Sequence, residues 1–148
     1  MSKKKRKLIC LIIFIIYLLI VLTLTVFRFN VYYNERQLNL SLFVDLIEIY
    51  RNYGIGLFLW LFLGNIFWFI PFGFLLPILI KKHNLIKIML FGLMFSLTIE
   101  SLQFFFYKGV AEIDDLILNT LGVLIGYGFF KLFCRYNFVK MLPASKGS

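Results

Sequence analysis

Two sets of polar residues stand at helical spacing inside otherwise apolar stretches. Glu100, Gln103 and Tyr107 fall at i, i+3 and i+7, and Asp115, Asn119, Gly122 and Gly126 at i, i+4, i+7 and i+11, so each set follows one helix face. An acidic turn of Glu112, Asp114 and Asp115 joins them. Inserting a carboxylate near the middle of a membrane helix costs roughly 2.5–3.5 kcal/mol, so both faces must turn toward a partner, a cavity or a site. Glu100, with a pKa raised by burial, would suit general acid or base work, and Asp115, in a different environment, would orient water or a metal. Asn65 lies ten residues beyond Ile55, inside a separate apolar run. Asn65, Glu100, Gln103 and Asn119 are expected to form one hydrogen-bonded network, with Arg51 or Lys108 as counter-charge and Asp114 as a further ligand-binding group. The alternative is a polar clasp that fixes helix register, since interhelical polar contacts averaging about 0.6 kcal/mol are ordinary in membranes.

Other chemistries find little support. The chain has no Ser/His/Asp set, and His83 stands alone in a Lys-Lys-His-Asn turn, read as a solvated charge. A metal site would have to be all oxygen and amide, favouring Mg²⁺ or Ca²⁺, and none is expected. No glycine loop for a phosphate or acyl-CoA is present, and no cofactor is implied. Cys10 and Cys134 read as small apolar residues at helix ends rather than a disulfide.

The elements that must position these groups follow from composition. Of 148 residues, 61% are hydrophobic and 20% aromatic, against roughly 45–50% apolar in a soluble domain. This is the composition of an integral membrane protein. The expected fold is all-α, a four-helix membrane bundle with spans at about 8–27, 55–80, 85–107 and 113–134 in a single domain over 8–134. A basic terminus precedes it at 1–7 and a tail follows at 135–148, its end polar and without expected structure. The first run is too long for a secretory signal core and lacks a small-residue cleavage site, so it reads as a retained helix. Pro71 should kink the second span and free the Phe67 carbonyl.

In the first outer loop, 28–54, Leu42, Phe43, Leu46, Ile47, Ile49, Tyr50 and Tyr53 recur at helical spacing opposite Asp45, Glu48, Arg51 and Asn52. That pattern predicts a short amphipathic helix capped by Ser41, lying on the membrane or packed over the bundle as a lid. The net charge of +9 sits beside the spans, which argues for orientation and anionic lipid and against nucleic acid. Lys3, Lys4, Lys5, Arg6, Lys7, Lys81, Lys82, Lys87, Lys131, Arg135, Lys140 and Lys146 fall on one side; Arg28, Arg36, Arg51 and Lys108 fall on the other. Both termini are therefore expected to be cytoplasmic and the acidic residues outward.

Several blocks carry a family resemblance: Asn39-Leu40, the run Gly64 to Pro77, Glu100-Ser101-Leu102-Gln103, the run Glu112 to Gly122, and Gly126-Tyr127. In order and spacing they resemble the VanZ-like membrane family over about residues 28–127. Where many members place an arginine before the Asp-Asp pair, this chain reads Lys108-Gly109-Val110, a point charge in place of a guanidinium fork. The resemblance implies a small bacterial membrane protein whose named member is associated with reduced susceptibility to glycopeptides of the teicoplanin type.

Three functions remain in play. One is an outward-facing site that binds or modifies an envelope lipid or lipid-linked cell-wall precursor, with Trp60, Trp68, Phe104 and Phe105 lining an apolar groove. The second is an enzyme using Glu100 and Asp115. The third is a non-catalytic scaffold, with a second copy or another membrane protein as partner; four spans without an internal repeat make a transporter less favoured.

Overall fold

In a computed structural model, residues 3–27, 33–80 and 83–141 are described. Residues 1–2, 28–32 at the start of the loop after the first helix, Lys81, Lys82 and the tail residues 142–148 lie outside the described residues. Five helices and two short strands follow in order: α1 (Lys3–Thr25), β1 (Gln37–Asn39), α2 (Val44–Tyr53), α3 (Ile55–Leu79), α4 (Leu85–Phe105), β2 (Val110–Glu112) and α5 (Ile113–Met141). Four of them, α1, α3, α4 and α5, are long and apolar enough to cross a membrane. Their exposed faces are rich in Leu, Ile and Phe, as hydrocarbon surroundings allow.

The helix ends differ from the expected spans for local reasons. The N-terminal lysines are good helix formers, so the basic cluster is itself the first turn of α1. No Gly or Pro interrupts α5 after Gly128 until Pro143, and the helix runs to Met141. Helix α4 stops at Phe105 because Tyr107 takes a left-handed conformation at φ 57°. The Phe106 N–H returns to the Leu102 carbonyl and the Lys108 N–H to the Gln103 carbonyl, both at 2.9 Å. This is a Schellman-type stop with tyrosine where glycine is usual.

The centre of the bundle is the pair α3 and α5. A β-carbon on Gly73 would collide with the Val123 carbonyl, one on Gly122 with the Ile66 carbonyl, and one on Gly126 with the Ile70 carbonyl. The two backbones are thus in near contact, as small-residue spacing permits. Around them, Phe14, Phe69, Phe72, Ile88, Ile99 and Val123 form the main buried cluster, with Phe72 and Phe95 stacked at 5.5 Å. Pro71 and Pro77 both lie inside a continuous α3. The carbonyl that gains a partner near Pro71 is that of Trp68, which accepts the Tyr17 hydroxyl at 2.6 Å, one residue beyond the expected Phe67.

Cys10 approaches Leu75 and His83 approaches Tyr127, which puts the start of α1, the end of α3 and the later half of α5 at one end. That end carries most of the lysines and arginines and is called the basic end. His83 is half-buried there, edge-on to Tyr127 and Phe130, and is more than a solvated charge. At the opposite, acidic end, β1 and β2 pair in parallel, Gln37 with Val110, Leu38 with Ala111 and Asn39 with Glu112. The amphipathic helix forms as α2, but its cap differs: Ser41 caps nothing, and its own N–H donates to Asn39 Oδ1 at 2.9 Å. Leu46 of α2 is buried against Ile66 and Leu118, so α2 packs against α3 and α5.

Candidate functional site

At the acidic end each polar side chain ties two elements together. Glu100 of α4 is 5% exposed, and its Oε2 accepts the Glu112 N–H at 3.0 Å, fixing β2 to the helix before it. Asp114, in the first turn of α5, accepts the Phe43 N–H with both oxygens at 2.9 Å. It thereby supplies a carboxylate to the N-terminus of α2, where helix amides and dipole favour an anion. Asn39 bridges the same region, donating to Asp45 Oδ2 at 2.7 Å. Asn65 of α3 donates to Asp115 Oδ1 of α5. Deeper in, Asn119 donates to the Ser96 hydroxyl at 2.8 Å. Gln103 donates to the Thr25 carbonyl at 3.2 Å, while its own carbonyl oxygen is buried without a partner.

Beside these clasps lies a groove of about 370 Å³, bounded by β1, the last turns of α4, β2 and the start of α5. Leu38, Leu40, Leu97, Phe104, Phe105 and Leu116 make apolar walls, and Glu100 and Glu112 are among the other lining residues. The Glu112 carboxyl is pushed up to about 7, first by burial and then by the charges of Asp115, Asp45 and Asp114. Near neutral pH it therefore exists in both forms. Arg36, immediately before β1, holds its guanidinium 5.7 Å from the ring centres of Phe104 and Phe105 and 5.3 Å from that of Tyr107. Among the described residues no three His, Cys, Asp or Glu side chains form a group that could hold a metal ion. The chemistry available is recognition of an apolar chain beside a hydrogen-bond donor, or proton exchange with such a donor.

The VanZ/LLP1 family model matches residues 14–134. The chain belongs to the VanZ/LLP1 family. It is similar to Protein VanZ of Enterococcus faecium, 34% identical over 100 residues that make up 68% of this chain and 56% of that relative. The chain thus spans little more than half the length of the relative it matches. No solved structure matches it.

In this VanZ/LLP1 protein the sequence-derived residues do not meet as one direct network. Asn65, Glu100, Gln103 and Asn119 bond instead to Asp115, Glu112, Thr25 and Ser96 respectively, because each faces a different neighbour around α4 and α5. Glu100 faces the groove, whereas Asp115 receives the Asn65 amide, so these two carboxylates are not a pair on the groove wall. Arg51 is exposed on α2, and Lys108 is half-buried in the turn that ends α4. Of the four aromatic residues expected to line a groove, Phe104 and Phe105 do so; Trp60 is 77% exposed on α3. Nor does α2 cover this groove, since its buried face is spent on α3 and α5.

Four residues of this region carried no expected site role from the sequence: Arg36, Asn39, Ser96 and Glu112. Ser96 had a usable signal, standing four residues before Glu100 on the same helical face. Glu112 stands in the expected acidic turn, and Val110 and Ala111 before it make a short apolar, strand-compatible run.

Proposed function

We propose that this VanZ/LLP1 protein is a multi-pass protein of the bacterial plasma membrane, with both termini cytoplasmic and the acidic end outward. In its groove it binds or modifies an envelope lipid or lipid-linked cell-wall precursor, and it thereby lowers susceptibility to glycopeptides of the teicoplanin type. The observation that carries this reading is the 370 Å³ groove, whose apolar walls lie beside Glu100 and Glu112 at the acidic end of the bundle. A chain-bearing amphiphile matches that combination, because its tail replaces lipid contacts while its head meets the polar end.

The test is glycopeptide tolerance in a deletion strain complemented with variants at matched membrane levels. Leu97→Trp fills the groove from a position already 52% exposed, and Glu100→Gln keeps shape while removing charge. Both should leave the strain as sensitive as the deletion. Full tolerance with Leu97→Trp in place would sink the reading. A scaffold reading has its own support in the clasps, above all Asn119 to Ser96 across α5 and α4. It expects Leu97→Trp to be silent and Ser96→Ala to act.

A further inference from the structure

Arg36 is seated at the edge of the groove by aromatic rings. Its guanidinium lies 5.7 Å from the ring centres of Phe104 and Phe105, both groove walls, and 5.3 Å from that of Tyr107, whose left-handed backbone ends α4. Along the chain it precedes Leu38 by two residues and Leu40 by four, and both leucines line the same groove. Extended backbone turns every second side chain to one face, and two residues cover about 7 Å, so the guanidinium stands at the rim. Ring faces hold a cation through their quadrupole, which leaves the in-plane N–H donors open to an acceptor. Arg36 is exposed, and among the described residues it forms no ion pair.

The rest of the groove presents no competing charge. Its lining is nearly all apolar, and the buried Glu100 has its Oε2 committed to the Glu112 N–H. The Glu112 carboxyl, pushed up to about 7 by burial and by nearby aspartates, is in large part neutral at neutral pH. At about 370 Å³ the groove is near the small end of ligand sites, which run from about 300 to 1,000 Å³, and suits one hydrocarbon chain rather than two. We propose that the groove takes a single-chain lipid phosphate: the chain lies in the trough against Leu38, Leu97 and Leu116, and the phosphate sits on the Arg36 guanidinium. This rests on the groove being a lipid site and adds the headgroup charge and the residue that reads it. A guanidinium meets two phosphate oxygens with parallel N–H donors, and a terminal phosphate carries about −1.5 to −2 at pH 7, more than a diester. A cationic head would meet Arg36 with like charge, and a neutral one would leave its donors to water.

The test is photocrosslinking of the purified full-length protein in a neutral detergent. The probes are hexadecyl phosphate, hexadecyl glucoside and hexadecyltrimethylammonium, each with a diazirine in the chain. Adducts are mapped by mass spectrometry, and those within 97–116 report the groove separately from the lysine-rich basic end. They should half-saturate at about tenfold or more lower concentration with the phosphate than with the glucoside, the discrimination expected of one charge-assisted hydrogen bond. The ammonium should be weakest. Arg36→Gln should bring the phosphate to the level of the glucoside, and Arg36→Lys should restore part of the difference. An excess of inorganic phosphate should displace nothing; displacement would make this a site for the bare anion and overturn the lipid. The comparison of heads on the unaltered protein decides the matter even if a variant fails to fold. Equal half-saturation for all three, or preference for the ammonium, overturns the phosphate assignment while a lipid site stands. Groove adducts with none of the three overturn it too, and with Leu97→Trp still conferring tolerance the lipid site falls as well.

Discussion

Glu112 is the residue whose protonation should be felt in bulk measurements. Its carboxyl ionises near 7 in the folded chain and near the ordinary 4.5 once unfolded, because burial and three nearby aspartates disfavour the anion. Between those values the folded state binds more protons than the unfolded state. Stability from this group is therefore fully present at low pH and is lost as pH rises through about 7. Melting in detergent from about pH 5 to pH 8 should show a decline that Glu112→Gln flattens. An identical slope in the variant would assign the effect elsewhere. At this scale the sequence was partly legible: Glu100, Asp114 and Asn119 stood out because polar atoms in apolar runs require partners. What those partners are was not legible, since a spacing of three or four residues fixes a face but not the neighbour it meets.

Among the elements, the α3 and α5 pair and the α2 attachment make separate predictions. Gly126→Ala sets a methyl against the Ile70 carbonyl, and the helices must separate to admit it. The expected loss is about 1–3 kcal/mol, the usual size of an overpacking penalty. Gly128→Ala, with no atom within 4 Å of its added carbon, should be neutral or gain up to about 1 kcal/mol of helix propensity. Thermal or denaturant unfolding of the two variants side by side distinguishes backbone contact from a general intolerance of alanine. Helix α2 depends on a carboxylate 71 residues away in sequence, Asp114, for the Phe43 amide. Asp114→Ala should speed hydrogen exchange across 44–53 with little change in the middle of α3; unchanged exchange would show that the Leu46 contacts alone hold α2. The four spans and the amphipathic helix were readable from run length and periodicity. The strands β1 and β2 were not, because three residues are too few to show a period and their pairing is entirely non-local.

Over the whole molecule, the charge asymmetry underlies the proposed orientation. Lys4, Lys5, Arg6, Lys7, Lys87, Lys131 and Arg135 crowd the basic end, while Glu35, Asp45, Glu48, Glu112, Asp114 and Asp115 occupy the other. The proposed orientation predicts that a green fluorescent protein fused after Ser148 is fluorescent and that alkaline phosphatase fused there is inactive. The reverse pattern would place the groove toward the cytoplasm and remove it from any extracellular drug target.

The parallel pairing of β1 with β2 also bears on how the molecule is made. During synthesis β1 emerges before three of the four long helices, and two of them, α3 and α4, follow it before β2 is made. A chain stalled after α4 would present Glu100 without the amide it accepts and a groove with one wall missing. Closing so long a loop is slow but costs little more than closing a shorter one. The groove is thus a late product of biogenesis, and the guest proposed for it would, by stabilising it, reward completed insertion over every truncated intermediate.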